Sequence, residues 1–442
     1  MQLLYFSGMK KPLQKGDKKL LNAWAFYDWA NSVYSLVIAS AIFPIFYDAI
    51  FALKGIETLV VWGIEWKSSS LIFGTTALAF SIVAIISPLL SGVADFLGNK
   101  KFFLKFFCYL GALSTMGLYF FNVDHIFLGL TLYLFALMGF WGSLVFYNSY
   151  LPDVAFPEQH DKISAKGFSL GYIGSVLLLI ICLVLILSQK GDKAQVQMMQ
   201  FSFVLTGLWW IGFSQYTYKF LPKGNTADGR LSKAIFYQGF KELKSIWKEM
   251  QHYPRLKSYL IAFFIYSMGV QTVMLAASYF GTDELDWGTT DKTVGLILSI
   301  LFRQLVAVVG ALLTSKLAAR IGNIKALIII NCIWIGICAW AFFVFTPIQF
   351  YITAAFVGLV MGGVQSLSRS TYAKFLPETE DTTSYFSFYD VSEKIGIVIG
   401  MIMFLGMQEF TNSMRYSIIF LILFFGVGVF LLKKVPQSEN KV

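Results

Sequence analysis

The chain has 442 residues, of which 57% are hydrophobic, 17% aromatic and only 14% charged. No soluble interior hides that much apolar surface, so an ordinary globular domain is excluded and an all-α polytopic membrane protein is expected. The net charge of +10 does not call for a nucleic-acid partner, because the excess sits in alternate loops.

The first twenty residues hold five lysines and no small-residue cleavage site, so no cleavable signal is expected, and Met1 and Met9 both fit as a start. A membrane-spanning helix takes about 20 apolar residues. Runs of that kind predict twelve spans, near 24–50, 69–92, 102–121, 126–150, 165–188, 198–219, 257–280, 292–316, 324–346, 348–375, 384–407 and 413–432.

The first span opens with WAFYDWANSVY, in which Asp28, Asn31, Ser32 and Ser35 form a polar stripe among aromatics. Such a stripe faces protein or water, and Asp28 reads either as a solute or gate contact or as a structural hydrogen-bonding acid. Between spans two and three, Gly92, Asp95, Gly98 and Lys100 stand in SGVADFLGNKK. The glycines allow close helix approach, and Asp95 is expected to hold the positive end of a neighbouring helix dipole as an inner gate. Span four ends in YNSYLPD, with Tyr147 and Asn148 on its inner half.

Residues 220–256 form the longest internal connection, from PKGNTADGR into LSKAIFYQGFKELKSIWKEM. Phe236, Phe240, Leu243, Trp247 and Met250 recur at helical spacing while Lys233, Lys241, Lys244 and Lys248 take other faces, so a basic amphipathic helix on the inner membrane surface is expected. Span seven offers Tyr266, Ser267 and Gln271 as a pocket wall.

Arg303, with Gln304 beside it, lies near the middle of span eight. A central arginine costs about 2.5–3.5 kcal/mol to insert, so it needs an acid or an anionic ligand. Two readings follow: a structural pair with Glu393 of span eleven, or a site for a solute carboxylate with Glu393 or Asp390 handling protons. Span ten presents Gln365, Ser368 and Arg369 in QSLSRSTYAKF, where Arg369 faces either the path or lipid phosphates. Span eleven carries Tyr389, Asp390, Glu393 and Lys394 within two turns. Asp390 and Glu393 share one face and Lys394 shares another with Asp390. Acids at membrane depth serve as proton relays, which makes H+ a candidate coupling ion.

Of 35 Lys and Arg, 27 fall in the connections that would be cytoplasmic with the N-terminus inside. The outer connections hold six: Lys54, Lys67, Lys190, Lys193, Lys292 and Arg415. Both termini are therefore expected in the cytoplasm. The chain also repeats. FPEQHDKIS (156–164) matches LPETEDTTS (376–384) at an offset of 220, and SGVADFLGNKK (91–101) matches SKLAARIGNIK (315–325) at 224. Duplication of a six-helix unit follows, with halves at 1–219 and 257–442 joined by the 220–256 linker. The second loop copy has Ala319 where Asp95 stands in the first, so the N-terminal half is expected to dominate inner gating.

Six plus six spans, a long central loop and GVADFLGNK resemble the major facilitator superfamily. NAWAFYDWANSVY, Phe43–Pro44, YNSYLPD, GGVQSLSRSTYAKFLPE and YFSFYDVSEKIG are similar, more narrowly, to the branch of the fungal vacuolar amino-acid effluxers and their bacterial homologues. The resemblance covers essentially the whole chain. It implies a secondary transporter working by alternating access on a small organic solute, amino acids first, as a monomer in the bacterial cell membrane.

Cys108, Cys182, Cys332 and Cys338 lie in apolar runs without a CxxC pair, and His125, His160 and His252 lie at loops or span edges, so no metal or cofactor is expected. No GxxxxGK[ST] loop supports ATP drive. An intramembrane acyl- or glycosyl-transferase lacks the His, Asp or metal cluster it needs, so no enzyme is expected. A non-transporting sensor or scaffold on the same fold is the remaining alternative.

Overall fold

In a computed structural model of the chain, the described residues are 13–56, 58–61, 63–222, 233–288, 292–411 and 413–437. Met1, Met9 and residues 223–230 of PKGNTADGR lie outside them, as do the side chains of Lys233, Phe236 and Phe240. In lipid every backbone polar group must be satisfied within the segment, and the predicted apolar runs are accordingly helices. Among the described residues, eleven are long and apolar enough to cross a membrane.

The first six are α1 (Lys18–Ala52), α2 (Ser68–Phe96), α3 (Lys100–Gly117), α4 (Ile126–Ser149), α5 (His160–Leu187) and α6 (Asp192–Phe220). The linker helix α7 (Lys233–Met250) follows. The second six are α8 (Pro254–Asp283), α9 (Lys292–Ile321), α10 (Asn323–Ala341), α11 (Pro347–Phe375), α12 (Thr382–Thr411) and α13 (Met414–Lys433). The helix missing from the eleven is α12, whose 30 residues include Asp390, Glu393 and Lys394. An addition to the all-helical expectation is a small antiparallel hairpin, β1 (Thr58–Val61) with β2 (Ile64–Lys67), in register Thr58↔Lys67 to Val61↔Ile64.

Within α1, Tyr34–Ile42 is wound as a π-helix, directly before Pro44 at the start of the following α-helical turn. Proline has no N–H and crowds the carbonyl four residues back, and a widened turn accommodates both. The serine hydroxyls help satisfy the carbonyls there: Ser40 Oγ donates to Ser35 O at 2.7 Å and Ser35 Oγ to Ser32 O at 3.0 Å.

Two six-helix bundles, α1–α6 and α8–α13, meet along α5 against α9 and α11, and along α12 against α2 and α4. Lys18, Lys100, α7 and Lys433 mark one end of the molecule, its basic end. Leu243, Ile246 and Met250 of α7 are buried against the bundle, where the helix packs on α2. Trp247, expected on that buried stripe, is 53% exposed and meets the ring of Phe388 of α12, ring centroids 5.6 Å apart. The docked face is thus rotated so that Ile246 takes the place expected for Trp247.

The tightest seam joins α9 to α11. Side chains built at Gly358 and Gly362 of α11 would strike Arg303 O at 2.3 Å and Ala307 O at 2.1 Å, and one at Gly310 of α9 would strike Leu359 O at 2.0 Å. With lipid on both sides, close backbone packing is a main source of helix association, and small residues permit it. Arg303 is held in place by this seam. Gly362→Leu is expected to destabilise the fold by about 1–3 kcal/mol through overpacking, read as a lower thermal unfolding midpoint in detergent. Gly336→Leu, at a position with nothing within 4 Å, should leave the midpoint unchanged.

Candidate functional site

Between the two bundles lies a cavity of about 1760 Å³, its open end included. Its walls come from α1, α2, α4 and α5 on one side and α8, α9, α11 and α12 on the other. Asp28 and Arg369 line its deep part toward the basic end, and Ser40 lines it about 18 Å farther along α1, taking 1.5 Å per residue. The π-wound turn supplies Tyr34, Ser35, Ala39 and Ser40 to the wall.

At the deep end, Arg369 Nη2 donates to Asp28 Oδ2 at 3.1 Å and to Ser164 O at 3.1 Å. Its Nε donates to Ser164 Oγ at 3.0 Å and its Nη1 to Asn148 Oδ1 at 3.2 Å. Tyr147 donates its hydroxyl to the same Asp28 oxygen at 2.8 Å. Phe168 and Trp24 bracket the guanidinium, with ring centroids 4.2 and 4.8 Å from Cζ. A Cβ at Gly167 would lie 2.4 Å from Asp28 Oδ2, so glycine is what lets α5 admit the pair. Arg369 is therefore not a lipid-phosphate anchor: it is 2% exposed and ties α11 to α1, α4 and α5.

Above this floor, Tyr172 donates to Gln365 Oε1 at 2.6 Å, and Tyr266 and Ser368 share a hydrogen bond of 2.7 Å. Tyr389 stacks on Phe263 at 4.1 Å. Asn31 lines the cavity and accepts a long bond of 3.4 Å from Ser32, its Nδ2 having no partner among the described residues.

The expected Arg303–Glu393 pair is absent. Glu393 instead accepts from Gln271 Nε2 at 2.7 Å and from Lys394 Nζ at 3.2 Å, and Lys394 also binds Asp390. Lys394, one residue on from Glu393, reaches its carboxylate before any group on α9 does. Arg303 is left 8% exposed on the cavity wall, and no hydrogen bond or ion pair to it is found among the described residues; its Nε and Gln304 Oε1 are buried without partners. It also borders a smaller, apolar cavity inside the second bundle, walled by Ile300, Ile337, Val357 and Ile418.

Toward the basic end the halves are joined by two sets of polar contacts. In the first, Asp95 accepts from the backbone N–H groups of Thr383 at 3.3 Å and Ser384 at 2.6 Å, at the N-terminus of α12. A carboxylate there meets the positive end of the helix dipole. Lys100 donates to Thr382 Oγ1 at 2.6 Å and pairs with Asp153 at 2.5 Å. Gly92 is buried in α2, and Gly98 takes a left-handed turn at φ 60° that separates α2 from α3. Asn99 then caps α3 by accepting from Phe102 N at 3.3 Å.

The second set lies beside it, and its acid also comes from the N-terminal half. Asp161 of α5 accepts from Asn323 Nδ2 at 2.8 Å, Ser370 Oγ at 2.7 Å and Lys374 Nζ at 2.5 Å. Asn323 is the repeat partner of Asn99, so where Ala319 removes the acid, its neighbour in the loop supplies a latch of its own. Sequence reading missed Asp161, Lys374, Ser164, Tyr172 and Gly167 as site residues. Asp161 and Ser164 had a signal in the FPEQHDKIS repeat, and Lys374 had one in GGVQSLSRSTYAKFLPE.

Removing one partner of a buried ion pair costs about 3–5 kcal/mol because the other charge is stranded. Asp28→Asn is expected to lower the thermal midpoint strongly, and Asp28→Asn with Arg369→Gln to lower it by less than the two single changes added together. Additive losses would refute the coupling.

Residues 16–442 match the family described as "Vacuole effluxer Atg22 like". An uncharacterized MFS-type transporter of Bacillus subtilis, YxiO, is 32% identical over 97% of each chain. Autophagy-related protein 22 of Saccharomyces cerevisiae is 25% identical over 81% of this chain and 76% of its own. Among solved structures, the E. coli fucose:proton symporter FucP superposes with a TM-score of 0.68 at 15% identity, covering 95% of this chain and 98% of that one. The proton:xylose symporter XylE superposes with 0.68 at 12% identity, over 96% and 97%. YxiO, FucP and XylE are named as transporters, not enzymes, and the chain belongs to the vacuole effluxer Atg22-like family, built on the major facilitator fold.

Proposed function

We propose that the protein is a secondary active transporter that moves a small organic solute bearing both charge signs, amino acids first, through the central cavity by alternating access. Arg303 carries this reading: a guanidinium 8% exposed on the wall of a cavity that also presents Glu393 and Gln271, with no acid of the protein bound to it among the described residues. A buried cation kept without a partner is explained by an anionic group that arrives and leaves. The names of the curated relatives, an MFS-type transporter and an autophagy-related protein in a vacuole effluxer family, support the class.

In this reading the halves 1–219 and 257–442 rock about the solute, with 220–256 as the cytoplasmic linker and both termini in the cytoplasm of a bacterial cell. The Asp95 and Asp161 contacts are the inner gates, closed here, while Asp28 and Arg369 seal the floor. Protons are the proposed coupling ion, carried by Asp390 and Glu393, and the working unit is the monomer.

The test is reconstitution into liposomes with a mixed pool of amino acids, short peptides and sugars, with and without a pH gradient. Uptake of an amino-acid fraction that Arg303→Ala abolishes is expected; no solute movement together with an unchanged ligand-dependent thermal shift in Arg303→Ala would refute the reading. Asp95→Asn with Asp161→Asn should raise the labelling by a water-soluble maleimide of a cysteine placed at Gln365, applied from the cytoplasmic side. Each capping or charged hydrogen bond lost weakens the closed state by about 1–3 kcal/mol.

A further inference from the structure

Lys394 occupies a cage made for an ammonium group. Its Nζ touches Asp390 Oδ1, lies 3.2 Å from Glu393 Oε2 and stands 4.0 Å over the ring of Trp141 from the other bundle. Two carboxylates and an aromatic face are the groups that recognise an alkylammonium. Two members of the cage, Glu393 and Trp141, line the central cavity, whereas Lys394 is 1% and Asp390 3% exposed behind them. The bonding inside the cage is uneven. Both oxygens of Glu393 are engaged, one by Gln271 and one by Lys394, while Asp390 Oδ2 is buried with no partner among the described residues. Asp390 thus holds a spare acceptor beside an ammonium that already has three N–H donors to place.

We propose that this cage is an ammonium site shared between Lys394 and the solute: an alkylammonium entering from the cavity takes the place of Lys394 on Glu393 beneath Trp141, and Lys394 turns wholly onto Asp390, filling Oδ2. Lys394 is then a tethered competitor that sets specificity. A solute with an ammonium group displaces it, and a solute with a carboxylate alone leaves it in place. With Lys394 alone the cage holds two carboxylates and one ammonium, a net charge of −1; the arriving ammonium brings it to zero and gives each carboxylate its own cation. That matters at membrane depth, where a stranded charge is costly. The inference rests on the reading of the central cavity as the solute path, but its test requires no transport.

The experiment measures thermal stabilisation of the purified full chain by 1-aminobutane, with 1-butanol and butanoate as neutral and anionic counterparts of similar size. Lys394→Ala and Lys394→Met remove the competitor, the second keeping most of the side chain's length against Trp141. Both are expected to bind 1-aminobutane about tenfold more tightly than the unmodified chain, a change of about 1.4 kcal/mol, with the 1-butanol response unchanged. Adding Glu393→Gln should abolish the gain. Glu393→Gln alone, which leaves Lys394 paired with Asp390, should lose the ammonium response and retain that to butanoate. An ammonium affinity equal in all variants, or an equal gain for 1-butanol, overturns the proposal. A chain that moves no solute in liposomes yet shows the ammonium gain would refute the transport reading and leave the cage standing.

Discussion

A guanidinium at membrane depth has to be neutralised and hydrogen-bonded, and the way Arg369 meets that demand organises the inner half of the molecule. Its donors reach α1 through Asp28, α4 through Asn148 and α5 through Ser164, so one side chain of the second bundle is bonded to three helices of the first. The contact is possible because Gly167 leaves room where any Cβ would lie 2.4 Å from the carboxylate. Everything above it, the cavity and its polar lining, has this pair as a floor. Aromatic faces of Phe168 and Trp24 complete the enclosure and keep lipid and solvent from competing for the charge.

Arg303 obeys the opposite logic. The α9–α11 seam, with carbonyls of Arg303 and Ala307 pressed on Gly358 and Gly362, fixes its backbone, and the side chain is left on the cavity wall with no acid bound to it among the described residues. Arg369 and Arg303 are therefore treated differently: the first holds the halves together, and the second faces the cavity. Lys394 is a third solution, a cation bound by its own helix at Asp390 and Glu393 and roofed by Trp141 of the facing bundle.

The contacts at the basic end differ between the two copies of the loop. Asp95 caps the backbone of α12 in one copy. In the other copy Ala319 stands in place of that acid, and Asn323, directly after the equivalent turn residue Gly322, works with Lys374 on Asp161 of the opposite bundle. The two sets of contacts use different chemistry, a dipole contact and a charge-assisted cluster, to join the same two bundles.

The sequence by itself determined the spans, the twofold repeat, the loops that carry positive charge and the residue types at membrane depth. Those follow from local hydropathy and composition, because a backbone in lipid has few alternatives to the helix. The polar stripe of Asp28 and Asn31 was legible for the same reason, as was the contact of Asp95 with a helix N-terminus. Pairings were not: Asp28 and Arg369 stand 341 residues apart, and nothing in either segment names the other. Reading Arg303 against Glu393 was reasonable by sign and depth, and it failed because Lys394 and Gln271 already occupy both oxygens. The face of α7 likewise turned on packing, with Ile246 buried and Trp247 at the surface. Which charge meets which, and which is left facing the cavity, is set by how twelve helices pack, and only the tertiary structure decides that.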